Sequence, residues 1–170
     1  KGDAARNIVF SGDIGRWNRP MLEDPHIFMK PDYIVIASTY GDRTHNRSEN
    51  VAEDLAAIVN ETVKAGGHLI VPSFALQRAQ EILFFLNALL MDGRIPEIDV
   101  YLDSPMAISI TEVFKKYEEL FDREMQALLK RKLSPFGFPG LKFVQTVDES
   151  KALNFLKKPP MIIAVPRMIT

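Results

Sequence analysis

The chain has 170 residues, of which 46% are hydrophobic and 25% charged, and its formal net charge is −1 at pH 7. This composition is typical of a globular protein and argues against intrinsic disorder. The sequence contains no Cys, which excludes a disulfide framework, a Cys-ligated zinc site and a cysteine nucleophile. Its apolar runs are too short for a membrane span, so we expect a soluble, cytoplasmic protein that does not associate with membranes.

Charge is unevenly distributed along the chain. Residues 1–114 carry 10 basic and 16 acidic side chains, whereas residues 115–170 carry 11 basic and 6 acidic ones. A basic half can attract a polyanion, but basic side chains interleaved with Glu along helices more often form a solvated surface.

Two short apolar runs near the start of the chain, at residues 7–11 and 33–38, predict buried strands. A helix of about four turns is predicted over residues 51–63, because apolar residues recur there at helical spacing. Two candidate caps, Ser48 and Asn50, mark its start.

The alternation of strands and helices continues to the end of the chain. Further predicted strands lie at residues 68–72, 100–102, 143–144 and 161–165, and predicted helices at residues 79–91, 104–132 (with breaks) and 148–156. Strands separated by helices imply a parallel sheet, because parallel neighbours need crossover connections. We therefore expect an α/β fold, with a parallel-rich sheet and helices on both faces.

Common catalytic and nucleotide-binding motifs are absent. The sequence has no G-x-x-x-x-G-K-[ST] phosphate loop, no G-x-G-x-x-G and no G-x-S-x-G nucleophile elbow. The three histidines, His26, His45 and His68, lie far apart and do not form a metal-binding motif.

Working residues in parallel sheets lie at the carboxyl ends of strands. Asp13 follows the first strand and offers a hard oxygen ligand for a metal ion, although a turn aspartate also explains its position. Residues 42–45 could similarly form a solvated loop, and Asp103 and Ser104 fit the start of a capped helix.

Polar residues open the helix that begins near residue 79. Gln77, Arg78 and Gln80 could hold a phosphate together with free backbone N–H groups. On the local pattern alone, an exposed first helical turn is the favoured explanation of these residues.

Four motifs occur together in a fixed order: FSGDIGR at residues 10–16, STYGDR at 38–43, PSFALQRAQE at 72–81 and YLDSPMA at 101–107. In this order and spacing they resemble the β-CASP branch of the metallo-β-lactamase superfamily, over nearly the whole chain. Members of that branch are mostly two-zinc nucleases that act on RNA.

The resemblance implies a division of the chain into residues 1–41, the end of the metallo-β-lactamase domain, and residues 42–170, a β-CASP domain truncated at its C-terminus. Asp13 matches the aspartate that bridges the two zinc ions, and the other ligands would lie outside these residues. Because the chain also begins with Lys1 rather than Met, we expect a piece of a longer protein that is inactive by itself.

The function implied for the parent is that of a zinc-dependent hydrolase that cleaves RNA phosphodiester bonds. Its partner would be RNA, and the protein could also form a homo-oligomer. Within this chain we expect Gln77, Arg78 and Ser104 to contact the substrate.

Two departures from the family pattern support an alternative. Ala37 stands where the family has an acidic residue that supports an active-site histidine, and Pro166 and Arg167 replace a small Ser-Gly pair. A methyl group can neither orient an imidazole nor accept a proton. The alternative is therefore a catalytically degenerate RNA-binding or assembly subunit of the same family.

Overall fold

The computed structural model describes residues 5–44, 50–131 and 134–165. In chain order the elements are β1 (Ile8–Phe10), β2 (Tyr33–Val35), α1 (Val51–Lys64), β3 (Leu69–Pro72), α2 (Arg78–Met91), β4 (Val100–Asp103), α3 (Pro105–Lys116), α4 (Arg123–Lys130), β5 (Leu141–Val144), α5 (Val147–Ala152) and β6 (Met161–Ala164). Short 3₁₀ turns follow α3 and α5. Among the described residues, no helix has the length and apolar character needed to cross a membrane.

The main sheet has four strands in the order β3-β6-β4-β5, all parallel. The last residues of its strands are in register: Pro72 is opposite Ala164, and Asp103 is opposite both Ala164 and Val144. The carboxyl ends of four strands therefore meet at one edge. This arrangement confirms the predicted α/β fold.

Helices lie on both faces of this sheet. Leu102 and Ile163 point into the same hydrophobic core as Leu83 of α2, and all three are at most 1% exposed. Side chains alternate along a strand, so Asp103 lies on the opposite face from Leu102. There its Oδ2 atom accepts a hydrogen bond of 2.7 Å from the Ser150 hydroxyl of α5.

Side-chain caps define where the helices begin. Asn50 caps α1 by accepting from the Glu53 N–H at 3.3 Å, and Ser104 caps α3. Asp122 caps α4, which explains why the predicted helix over residues 104–132 is two helices. Ser48, the other candidate cap of α1, lies outside the described residues.

Strands β1 and β2 form a separate two-stranded parallel sheet, with Ile8 opposite Tyr33. The prediction that these strands are buried is wrong: Phe10 is 73% exposed and Ile34 is 59% exposed. No described element covers this small sheet, whereas a stable sheet normally packs an apolar face against another layer.

A strap at residues 18–22 connects the N-terminal region to the helices of the main unit. Met21 lies in the core at 1% exposure, and its carbonyl accepts from the Asp122 N–H at 3.0 Å. Leu22 forms an isolated antiparallel bridge with Phe121. Met21 adopts a positive φ of 75°, so its burial offsets a backbone strain of the order of 1 kcal/mol.

Candidate functional site

Asp13 lies in the loop that follows β1, beside the end of β2. The two strand ends are joined by hydrogen bonds from the Ser11 N–H to the Val35 carbonyl at 2.9 Å and from the Ala37 N–H to the Ser11 hydroxyl at 3.1 Å. Gly12 adopts a φ of 51° between Ser11 and Asp13, a conformation that glycine accepts without steric cost. The Asp13 side chain is exposed and accessible to a ligand.

The described residues do not build a complete metal centre. They contain no group of three or more His, Cys, Asp or Glu side chains that could hold a metal ion. A zinc site needs several ligands held together, and Asp13 could supply one of them. Ala37 adds no carboxylate at this end of the small sheet, and His45 lies outside the described residues.

A second polar cluster surrounds Glu81 in the first turns of α2. The Glu81 side chain is only 4% exposed, and its Oε2 atom accepts from Arg78 Nη1 at 2.9 Å and from Arg19 Nη1 at 3.4 Å. Its Oε1 atom accepts from Gln77 Nε2 at 3.2 Å. We call these four residues the Glu81 cluster. It satisfies both oxygens of a buried carboxylate, as buried charges require.

Arginine side chains at three positions interact in and around this cluster. Burial lowers the pKa of the Arg19 guanidinium, the Glu81 carboxylate raises it, and the Arg78 and Arg16 guanidinium groups lower it further. Arginine nevertheless keeps its charge at any physiological pH. Three guanidinium groups therefore act on a region that holds one buried carboxylate.

Gln77 introduces backbone strain at the start of α2. Its φ and ψ are 64° and −49°, and the Arg78 N–H donates to the Leu76 carbonyl at 2.7 Å. Together these features define a γ-turn of the rare, strained type. Strained backbone of this kind is concentrated at ligand-binding and active sites.

Only two members of this cluster, Gln77 and Arg78, were predicted from the sequence as candidate ligand contacts. Gln77 and Arg78 were expected to face a ligand, and they lie four and three positions before Glu81, where side chains on one helical face meet. Helical spacing could have indicated Glu81 as their partner. Arg19 is separated from Glu81 by 62 positions, so no local pattern pointed to it.

Two other candidate phosphate or substrate contacts are buried. Ser104 is 2% exposed, and its hydroxyl accepts from the Ala107 N–H at 3.2 Å, so the geometry supports the capping role. Gln80 is fully buried, and its amide donates to Thr111 Oγ1 at 2.9 Å and to the Ala75 carbonyl. The proposed phosphate contact at Gln80 is therefore wrong, because its amide connects α2 to α3.

The solvated-loop interpretation of residues 42–45 fits the part that the structure describes. Asp42 and Arg43 form an exposed ion pair at 3.1 Å. The departures at Pro166 and Arg167 lie outside the described residues.

A cavity of about 510 Å³ lies next to Arg19, between the strap and helices α2 and α4. It is lined by the strap and the next two residues (18–24), by Phe84 and Phe85, and by residues 122–125. Acidic side chains outnumber basic ones in this lining by four to two. The cavity is therefore a poor receptor for an anion.

Comparison with known proteins relates the chain to one family. The Beta-Casp domain family matches residues 79–170. The chain is 34% identical over 164 residues to ribonuclease TTHA0252 of Thermus thermophilus. The aligned region covers 96% of this chain and 38% of that protein. It is 27% identical over 175 residues to endoribonuclease YSH1 of Eremothecium gossypii, covering 98% of this chain and 22% of the relative.

A third relative is cleavage and polyadenylation specificity factor 73 of Drosophila melanogaster, which is 28% identical over 176 residues, covering 98% of this chain and 24% of that protein. The chain therefore spans about two fifths or less of the length of each of these three proteins.

Proposed function

This chain belongs to the Beta-Casp domain family, in the metallo-β-lactamase superfamily, and from this premise we propose that the protein is a zinc-dependent ribonuclease that cleaves RNA phosphodiester bonds. Relatives whose names state an activity are a ribonuclease and an endoribonuclease. The observation that carries the proposal is the position of Asp13, an exposed carboxylate at the carboxyl edge of the small sheet.

We also propose that residues 1–41 belong to the metallo-β-lactamase domain and residues 42–170 to the β-CASP domain. The two separate sheets support this division, because β1 and β2 lie in the first segment and β3 to β6 in the second. The exposed apolar surface of the first sheet is what a part of a larger layered domain would show.

Within this proposal Asp13 contributes one oxygen ligand to the metal site. Zinc bound in such a site lowers the pKa of a bound water and stabilises charge on the phosphate. The other metal ligands would come from elsewhere in the protein. Among the described residues, Asp13 is the ligand that we propose, and no complete metal site is present. Arg78 and Gln77, at the start of α2, are the proposed contacts to RNA.

The alternative is an RNA-binding or assembly subunit without turnover. Ala37 favours it, because the side chain at the end of β2 has no carboxylate to support a histidine.

The two functions are separated by a cleavage assay on the full-length natural protein. Labelled single-stranded RNA is incubated with the wild type, with Asp13→Asn and with Asp42→Asn, which alters an exposed carboxylate outside the proposed metal site. We expect the wild type and Asp42→Asn to cleave, and Asp13→Asn to lose at least about 100-fold in rate because a metal ligand is removed. Wild-type protein that binds RNA with zinc supplied and leaves it intact would support the alternative.

A further inference from the structure

Two arginines from distant parts of the chain share one carboxylate oxygen. Arg78 Nη1 and Arg19 Nη1 lie 2.9 and 3.4 Å from Oε2 of Glu81. We propose that Arg78 and Arg19 form a binding site for a backbone phosphate of RNA, with Glu81 as its internal anchor and with Arg16, an exposed arginine three positions before Arg19, as a further contact. The identity of the ligand rests on the proposed function.

Most donors of these arginines are not used within the described part of the chain. Each guanidinium has five N–H donors in a planar fork that matches two oxygens of a phosphate. Arg78 gives one contact to Glu81 and its side chain is 48% exposed. Arg16 is exposed and forms no ion pair with any described residue. Donors are therefore available on the solvent side of the cluster.

Glu81 holds the cationic groups in place without neutralising them. A buried carboxylate that only needed a counterion would be satisfied by one arginine, yet Glu81 accepts from two. The two guanidinium groups lie within 3.4 Å of the same Glu81 oxygen, so their positive charges repel each other. An anion on the exposed side of the cluster would remove that repulsion, and the fixed side chains lower the ordering cost of binding it.

The position of the cluster favours an RNA phosphate over a small anion held in the neighbouring cavity. Acidic side chains in that cavity, such as Glu23 and Glu124, repel phosphate. Asp13 and Arg19 are six positions apart in the chain, and six residues span at most about 20 Å. A phosphate bound here belongs to a nucleotide close to the one at Asp13.

The test measures RNA binding by the full-length natural protein in the presence of a chelator, so that no cleavage occurs. A short single-stranded RNA is titrated at several salt concentrations against the wild type, Arg16→Ala, Arg78→Ala and Arg78→Lys. Arg123→Ala is the matched control, since Arg123 is an exposed arginine that lines the acidic cavity.

We expect Arg16→Ala and Arg78→Ala each to weaken RNA binding roughly 10-fold, because a charged hydrogen bond to phosphate is lost. The slope of log Kd against log salt should fall by about 0.7 for each phosphate contact removed. Arg78→Lys should keep the slope and lose part of the affinity, since lysine keeps the charge and loses the fork. Arg123→Ala should match the wild type.

Unchanged affinity and slope in both alanine variants would overturn the proposal, and so would an equal loss in Arg123→Ala. Inorganic phosphate and a nucleoside monophosphate are titrated as well. If either binds at Arg78 as tightly as the RNA does, the site recognises a free phosphate and the assignment to RNA is wrong. The binding test and the cleavage assay can also give different answers. If the wild type does not cleave RNA but the arginine variants still lose RNA binding, the phosphate site is supported and the proposed catalysis is wrong.

Discussion

Arg78 and Glu81 lie one helical turn apart on α2, yet their side chains occupy very different environments. The Arg78 side chain is 48% exposed and the Glu81 side chain 4% exposed, with 2.9 Å between Nη1 and Oε2. Surface ion pairs at this spacing contribute little to stability. Here the Glu81 carboxylate is buried. Removal of Arg78 therefore leaves a desolvated carboxylate with one counterion fewer, and removal of Glu81 leaves the arginines that face it without their counterion.

We expect Glu81→Gln to destabilise the protein by about 1 to 3 kcal/mol, because Arg19 then lies partly buried without a counterion. Urea unfolding of both forms measures this difference. Glu112→Gln is the control, since Glu112 pairs with Lys115 on an exposed helical surface, and we expect a change within about 0.5 kcal/mol. Equal stability of the wild type and Glu81→Gln would show that the Glu81 cluster does not stabilise α2.

The γ-turn at Gln77 predicts a difference between two substitutions. Both Gln77→Gly and Gln77→Ala remove the amide that donates to the buried Glu81 carboxylate, and that loss costs stability. We expect Gln77→Gly to be more stable than Gln77→Ala by about 1 kcal/mol, because glycine adopts a φ of 64° without strain. Equal stability of the two variants would contradict the strain argument. Thermal and urea unfolding give both values.

Gly140 permits a close approach between the loop before β5 and the segment before β4. A Cβ atom at Gly140 would lie 2.5 Å from the Ile98 carbonyl oxygen, at a φ of 89°. We expect Gly140→Ala to cost about 3 kcal/mol, whereas Gly93→Ala should cost about 1 kcal/mol, because Gly93 has a positive φ but open space around it. Similar unfolding midpoints for the two variants would indicate that the loop moves freely.

The capping box of α5 predicts a pH dependence. The Glu149 carboxylate accepts from the Gln145 and Thr146 N–H groups at 2.8 and 3.1 Å, and these bonds lower the pKa of Glu149 below its ordinary value of 4.5. A carboxyl whose pKa is lower in the folded state contributes stability above its unfolded pKa and loses it as the pH falls through the folded pKa.

We therefore expect the stability advantage of the wild type over Glu149→Gln to be largest above pH 4.5 and to shrink below it. Unfolding curves recorded between neutral and acidic pH test this expectation. Glu61→Gln serves as the comparison, because Glu61 is exposed on α1. A wild-type advantage that stays constant to low pH would argue against the backbone hydrogen bonds as its source.

Local signals predicted the helices and strands of the main unit well. Asn50 and Ser104 cap their helices as their positions indicated, because a cap depends only on a few adjacent residues. Hydrophobic periodicity similarly located the strands of the parallel sheet.

Features that depend on distant residues were not predictable in this way. The apolar residues of β1 and β2 indicated burial, but whether a strand is covered depends on layers that the local pattern does not describe. The contact between Arg19 and Glu81 and the strain at Gln77 likewise arise from tertiary packing. Asp13 was identified as a ligand candidate by its motif, and its role stays a prediction.

The bridge between Leu22 and Phe121 also has a kinetic consequence. It closes a loop of about 100 residues, and the chain loses entropy in that closure before the contact can return any energy. Met21 shares the hydrophobic core with residues of helices α2 and α4, and the hydrogen bonds within each helix are local. The strap should therefore dock late in folding, onto a unit that is already formed, and mutations in it should speed unfolding more than they slow folding.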